Sequence, residues 1–213
     1  MVHVLRTRLN AHVGALLTTI NRKANRVAMH AVRVDLVEAQ AARLELPLWQ
    51  APIPSPCSNE EYERVMASAV RRAVAEGFTH VAFADLYLAD IRRYREERLQ
   101  GSGLTPVFPL FGVDTSALAR EMIAAGLGAR ITCVDPRAID RRFAGREYDA
   151  SLLADLPPSA DPCGERGEFH TFAYRGPMFP RPIPIDTGDT VERDGFVFTD
   201  LTLCQTTPHA SSV

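Results

Sequence analysis

Cys163-Gly164-Glu165-Arg166-Gly167-Glu168-Phe169-His170-Thr171-Phe172, with Asp161-Pro162 just before it, is the densest chemical stretch of the chain. Two glycines flank one carboxylate, and a second carboxylate opens a run that alternates like a β-strand as far as Tyr174. Glycine takes positive φ without steric cost and lets backbone come close to a ligand. Glu165 and Glu168, three residues apart, suit the orientation of ammonia or a substrate cation, or proton transfer. The same residues also read as a polar, glycine-rich loop whose acids are solvated.

Moving outward from this stretch, Asp194-Gly195 before Phe196-Val197-Phe198 is a hairpin signal. Upstream, Asp114 or Thr115 caps a helix to Ala125, a strand over 130–134 stops at Asp135-Pro136, and a short helix covers 150–156. In the N-terminal half, strand and helix signals alternate, which predicts an α/β fold with a mostly parallel sheet. A strand over 13–19 ends in turn chemistry at Asn21, and Asn25 is expected to cap a helix over 26–44 that Pro47 terminates. A strand over 48–51 leads into the stiff Pro52-Ile53-Pro54-Ser55-Pro56 connector. Ser58 and Glu61 form a capping box for a helix to Gly77. A strand over 80–83 and a polar helix over 91–100 follow, and Gly101-Ser102-Gly103 breaks the chain. The organisation expected is an α/β domain over 1–103, a smaller α+β domain over 104–205, and a tail over 206–213.

Composition narrows the function. The 213 residues are 46% hydrophobic with net charge −2, enough apolar material for a core and no basic field for nucleic acid. Four cysteines form no CxxC pair, and the histidines lack metal-ligand spacing, so no metal site is expected. No apolar run reaches the roughly 18 residues of a membrane span, and residues 1–8 lack a signal-peptide core. A cytoplasmic location, with no membrane and no nucleic acid as partner, is the expectation.

Two further groups carry possible chemistry. Asp85 stands just past the strand over 80–83, where open α/β sheets bind ligands, and Arg92 follows on the next helix, suited to phosphate or carboxylate. A surface helix with an Arg92–Glu96 ion pair accounts for the same residues. Met29 and His30 sit beyond another strand end, as candidates for an adenine pocket or as core and rim. Cys57 and Cys163 have no evident base beside them and read as ordinary thiols.

Taken in order, these segments resemble the diphthine–ammonia ligase family of N-type ATP pyrophosphatases. Arg26-Val27-Ala28-Met29-His30 resembles its methionine–histidine step, and Leu44-Glu45-Leu46-Pro47-Leu48 its Leu-Gly-Ile-Pro-Leu step, with Glu45 replacing glycine. Phe83-Ala84-Asp85-Leu86 with residues 90–96 resembles the strand end and its arginine helix, and Pro109-Leu110-Phe111-Gly112 the usual Pro-Leu-Trp-Gly. The most specific likeness is between residues 164–171 and the signature Gly-Glu-x-Gly-Glu-(Phe/Tyr)-x-Thr. Ala84 departs from a usual glycine, and Arg175 from a frequent acid.

The resemblance implies a Rossmann-like adenine-nucleotide α-hydrolase sheet and a C-terminal domain closing over it. It implies an AMP-forming, ATP-dependent carboxylate–ammonia ligase using ATP and Mg2+. It carries Glu165 and Glu168 over as catalytic, Met29, His30, Asp85 and Arg92 as nucleotide-binding, and Gly164, Gly167 and Thr171 as substrate-binding. The partners implied are ATP, ammonia and a carboxylate acceptor on a small molecule or a protein side chain, with a homodimer among the allowed assemblies. The proline- and arginine-rich composition points to a bacterial source, where the family's modified histidine is not expected, so the acceptor is open. A non-catalytic adenine-nucleotide-binding module is the alternative. The family's Ser-Gly-Gly-Lys-Asp-Ser-type phosphate loop has no counterpart here, and His3-Val4-Leu5-Arg6 resembles the middle of the first helix; an incomplete reading frame is the expectation.

Overall fold

The computed structural model describes residues 1–28 and 30–204. Met29, placed above in the nucleotide group, and the tail expected over 206–213 lie outside the described residues.

The chain opens with helix α1 (Val2–Thr7) and strand β1 (Leu16–Asn21). Strand β2 (Arg26–Val27) folds back antiparallel on the end of β1, pairing Ile20 with Val27 and Asn21 with Arg26. This corrects the helix expected over 26–44. The Asn21 side-chain oxygen accepts the N–H groups of Lys23 and Ala24, and Asn25 takes φ 50°, a turn position rather than a helix cap. Helix α2 (Val34–Leu44) begins eight residues later than read, after Arg33 at the N-cap. The apolar spacing of Val27 and Ala31 suits a helix, but hairpin pairing to β1 satisfies the backbone there instead.

Helix α2 crosses over to strand β3 (Leu48–Ile53), parallel to β1 in register from Leu16–Leu48 to Asn21–Ile53. Helix α3 (Asn59–Ala75) carries both halves of the expected capping box: Glu61 N–H donates to the Ser58 hydroxyl and the Glu61 carboxylate accepts from Ser58 N–H. Strand β4 (His80–Ala82), helix α4 (Ala89–Leu99) and strand β5 (Thr105–Val107) form a second parallel unit. This β4–β5 ladder spans the 101–103 turn.

Helix α5 (Thr115–Ala124) is capped by Asp114, whose carboxylate accepts Ala117 N–H at 2.7 Å. Strand β6 (Gly128–Val134), a 3-10 turn, helix α6 (Ala150–Asp155), strand β7 (Phe169–Arg175), strand β8 (Ile185–Arg193) and strand β9 (Phe196–Leu203) follow among the described residues. The last four strands make an antiparallel sheet in the order β7-β6-β9-β8. The β8–β9 turn is the expected Asp194-Gly195 pair at φ 54° and 79°.

The class is therefore mixed α/β, but among the described residues the strands form three sheets rather than one mostly parallel one. The antiparallel sheet is covered on both faces. Phe169 joins Ile131, Phe143, Leu152 and Ala119 of α5 in one buried cluster. Phe172, three residues on and so on the opposite face, joins Leu201, Ile183 and Leu36 of α2 in another. Burial of such side chains contributes roughly 1.5–3 kcal/mol each. Met1 and Val4 of α1 pack beside Leu86, Leu110 and Leu118, and so join the rim beyond β4 and β5 to α5. No helix among the described residues is long and apolar enough to cross a membrane.

Candidate functional site

The glycine-rich stretch is a turn built from its own hydrogen bonds. Asp161 opens it: its carboxylate accepts Cys163 N–H at 2.7 Å and its carbonyl accepts Gly164 N–H at 3.0 Å. Gly167 N–H then donates to Gly164 C=O at 3.0 Å. Gly164 has φ 70°, and a Cβ added there would stand 2.7 Å from the Phe169 carbonyl oxygen, so only glycine fits. Gly167 has φ 82° with nothing within 4 Å of its missing Cβ, so its demand is conformational alone.

The two glutamates do different things. Glu168 is 4% exposed and accepts Asp161 N–H at 2.8 Å, Arg166 N–H at 3.0 Å and the Arg166 guanidinium at 3.1 Å. Its carboxylate holds the turn in shape, a buried charge matched by three donors. Glu165 points away from its own turn, and its Oε1 accepts Leu86 N–H at 2.7 Å and Tyr87 N–H at 3.5 Å. Leu86 follows Asp85, so the turn is fastened to the loop beyond the C-terminal end of β4.

Asp85 is clamped bidentately by Arg95, at 2.6 and 3.1 Å. Arg95 was not singled out in the sequence, although its spacing of three from Arg92 places both on one face of α4. Arg92 bonds Glu96 at 2.8 Å, the ion pair weighed above, and its guanidinium lies 4.9 Å from the Phe108 ring and 4.7 Å from Phe111. Phe83 stacks on Phe108 at 5.5 Å beneath Arg95. Arginine and aromatic side chains thus line the rim after β4 and β5.

At the other end of the signature, the His170 ring lies 4.3 Å from the His30 ring. The Thr132 hydroxyl lies within bonding distance of both backbones, 3.2 Å from His30 O and 3.3 Å from His170 O. Burial first, and the His170 charge second, push His30 down to about 4, although the residue keeps an exposed edge. Burial lowers His170 as well. Thr171 is a half-buried member of β7, paired in register with Ile131.

Residues 164–170 therefore touch both the Asp85 loop, through Glu165, and the β2–α2 connection, through His170. Cys163 lies apart from this chemistry: burial and the nearby Asp161 push its thiol up to about 12, and its Sγ faces Thr115 O at 3.4 Å.

A salt-bridge knot invisible in the sequence binds the same region. Asp200 of β9 receives Arg33 at 3.0 and 2.6 Å and Arg26 at 2.9 Å. Hydrogen bonds from those guanidinium groups outweigh desolvation and lower the Asp200 pKa. The partners are over 160 residues apart in sequence, and no local pattern signals them.

Residues 114–202 match the family described as diphthamide synthase C-terminal domain. Comparison with curated proteins returns no match. The family match covers α5 to β9, including the glycine-rich turn, and bears out the likeness drawn from residues 164–171.

Proposed function

We propose that this chain, a diphthine–ammonia ligase-type protein by its C-terminal match, is an ATP-dependent, AMP-forming carboxylate–ammonia ligase. The observation that carries the reading is the double attachment of residues 164–170, at Leu86 through Glu165 and at His30 through His170. Ligands of parallel α/β sheets bind beyond the strand C-termini, and this turn lies against the loop after β4 and against the connection after β2, which folds back on the C-terminal end of β1. The N-terminal α/β units then correspond to the Rossmann-like adenine-nucleotide α-hydrolase sheet that the family resemblance implies.

In this reading the acceptor carboxylate attacks the α-phosphorus of ATP, pyrophosphate leaves, and ammonia displaces AMP to give the amide. Mg2+ accompanies the phosphates, and it commonly needs only one or two protein carboxylates. The rim suits such a ligand in part: Asp85 supplies a carboxylate, and Arg92 and Arg95 supply cations over apolar rings. No group of three His, Cys, Asp or Glu side chains among the described residues forms a metal site of its own. Arg92 meets the phosphates, and His30, neutral at pH 7, packs against the nucleotide without adding charge. Glu165 registers the turn against the rim, and Glu168 keeps it folded; both are positioning residues whose carboxylates accept backbone N–H groups.

The test is pyrophosphate release from ATP with ammonium and a panel of small carboxylates. Release that requires both a carboxylate and ammonium is expected. AMP binding by calorimetry with no release from any acceptor would favour the second reading, a non-catalytic nucleotide-binding module, which the internal pairing of Asp85, Arg92 and Glu168 makes chemically coherent.

A further inference from the structure

Beside the His30–His170 contact lies a cavity of about 230 Å³ that none of the roles above uses. The β1–β2 hairpin with the residues just after it, His170 and the tip of the β8–β9 hairpin line it. Phe196 and Phe198 alternate along β9, so both rings face the same side, with centroids 6.3 Å apart, and both line the cavity. Two adjacent phenyl rings favour a planar π-system laid on or against them.

The polar groups at this cavity are few and unequal. Arg26 is already engaged, giving one nitrogen to Ala31 O at 2.7 Å and to Asp200 at 2.9 Å. Arg193 has a looser polar partner: its ion pair with the neighbouring Asp194 is 3.6 Å long, the two side chains are 57% and 87% exposed, and its guanidinium lies 5.1 Å from the Phe198 ring, at the edge of the same cavity. Such an exposed pair contributes little and gives way readily to a better-placed carboxylate. Asn21 spends its side-chain oxygen on the β1–β2 turn, which leaves its amide N–H groups as donors. The volume falls below the ~300 Å³ at which pockets for larger ligands begin. That size suits a ligand of one or two rings.

We propose that this cavity binds a small aromatic carboxylate, its ring against Phe196 and Phe198 and its carboxylate at Arg193. As the acceptor's site it rests on the ligase reading; as a site for an aromatic acid it stands without it.

The experiment titrates the full chain with phenylacetate, and with benzylamine as the cationic counterpart, by ligand-observed NMR. Saturable phenylacetate binding is expected, with benzylamine at least tenfold weaker. Arg193→Gln, at an exposed position, should weaken phenylacetate at least tenfold, as should Phe198→Ala. Phe198→Leu keeps the apolar volume and should lose several-fold through stacking alone, so a fold defect in the alanine variant does not leave the result open. Absence of saturable binding, equal binding of benzylamine, or an unchanged dissociation constant in Arg193→Gln and Phe198→Leu overturns the proposal. AMP binding measured on the same samples reports on the ligase reading separately: aromatic acid bound without AMP keeps this site and removes the ligase, and AMP bound without the acid does the reverse.

Discussion

Glu165 reaches across from the glycine-rich turn to accept the backbone N–H of Leu86 at 2.7 Å. A side chain of the C-terminal half thereby completes the hydrogen bonding of a loop that follows a strand of the N-terminal half. A charge-assisted bond of this kind contributes roughly 1.5–3 kcal/mol, and an N–H left without it must find water.

Glu165→Ala should therefore loosen the loop without unfolding the chain. Amide hydrogen exchange should speed up at Leu86 and Tyr87 and stay unchanged in β6. Unaltered protection at Leu86 would show that the contact does not hold the loop.

Glu168→Gln replaces a buried carboxylate that accepts from two backbone N–H groups and the Arg166 guanidinium. The amide keeps one acceptor oxygen and brings an N–H2 group towards donors. A loss of roughly 1–3 kcal/mol in unfolding free energy is expected, read as a lower denaturation midpoint at unchanged m-value. Wild-type stability in this variant would contradict the structural role assigned to the carboxylate.

Asp200 gives the chain an acid-sensitive joint. Its pKa is lowered from the ordinary 3.8 in the folded state, so its stabilising effect is complete above that value. It declines as pH falls below 3.8 towards the native value. Asp200→Asn should be less stable at pH 7 and should lose less further stability between pH 4 and pH 2 than the parent. Parallel acid-denaturation curves for the two proteins would show that the Arg26–Asp200–Arg33 knot is not the source.

The His30–His170 contact has the opposite chemistry and the same sign. Lowered imidazole values mean that the unfolded chain takes up protons first, so stability is complete above about 6.5 and declines as pH falls towards about 4. NMR titration should place the His30 midpoint well below 6.5, and His170→Asn should raise it by removing the second positive charge. A midpoint at 6.5 in the parent would mean that the His30 ring is not buried in this contact.

Glu45 ends α2 at φ 55°, ψ 42°, the left-handed conformation that glycine adopts without strain. Glu45→Gly should stabilise the protein by up to ~1 kcal/mol, or about 2–4 °C in melting temperature for a chain of this size. A lower melting temperature would place the strain elsewhere.

The legible parts of this molecule were those in which neighbours in sequence are partners in space. The Ser58–Glu61 box, the Asp114 cap and the Asp194-Gly195 turn each formed as read, because each is closed by groups within about four residues. The helix read over 26–44 failed at its first eight residues, where hairpin pairing of Arg26 and Val27 with β1 outcompetes a locally acceptable helix. At the site, the glycine-rich turn was conspicuous, but the division of labour between its glutamates was not. Glu165 and Glu168 look alike in sequence, and only the position of Leu86, far upstream, separates the one that reaches outward from the one folded into its own turn.

Helix α2 shares a buried cluster with Phe172, Ile183 and Leu201, and its first turn is tied to β9 through Arg33 and Asp200. The crossover helix of the first parallel unit is thus also a wall of the antiparallel sheet. On the far flank the loop after β4 is held by the Glu165 bond to Leu86 N–H and by the packing of Leu86 against Leu118 of α5. Those contacts are the clasp of the molecule, and α2 is its spine.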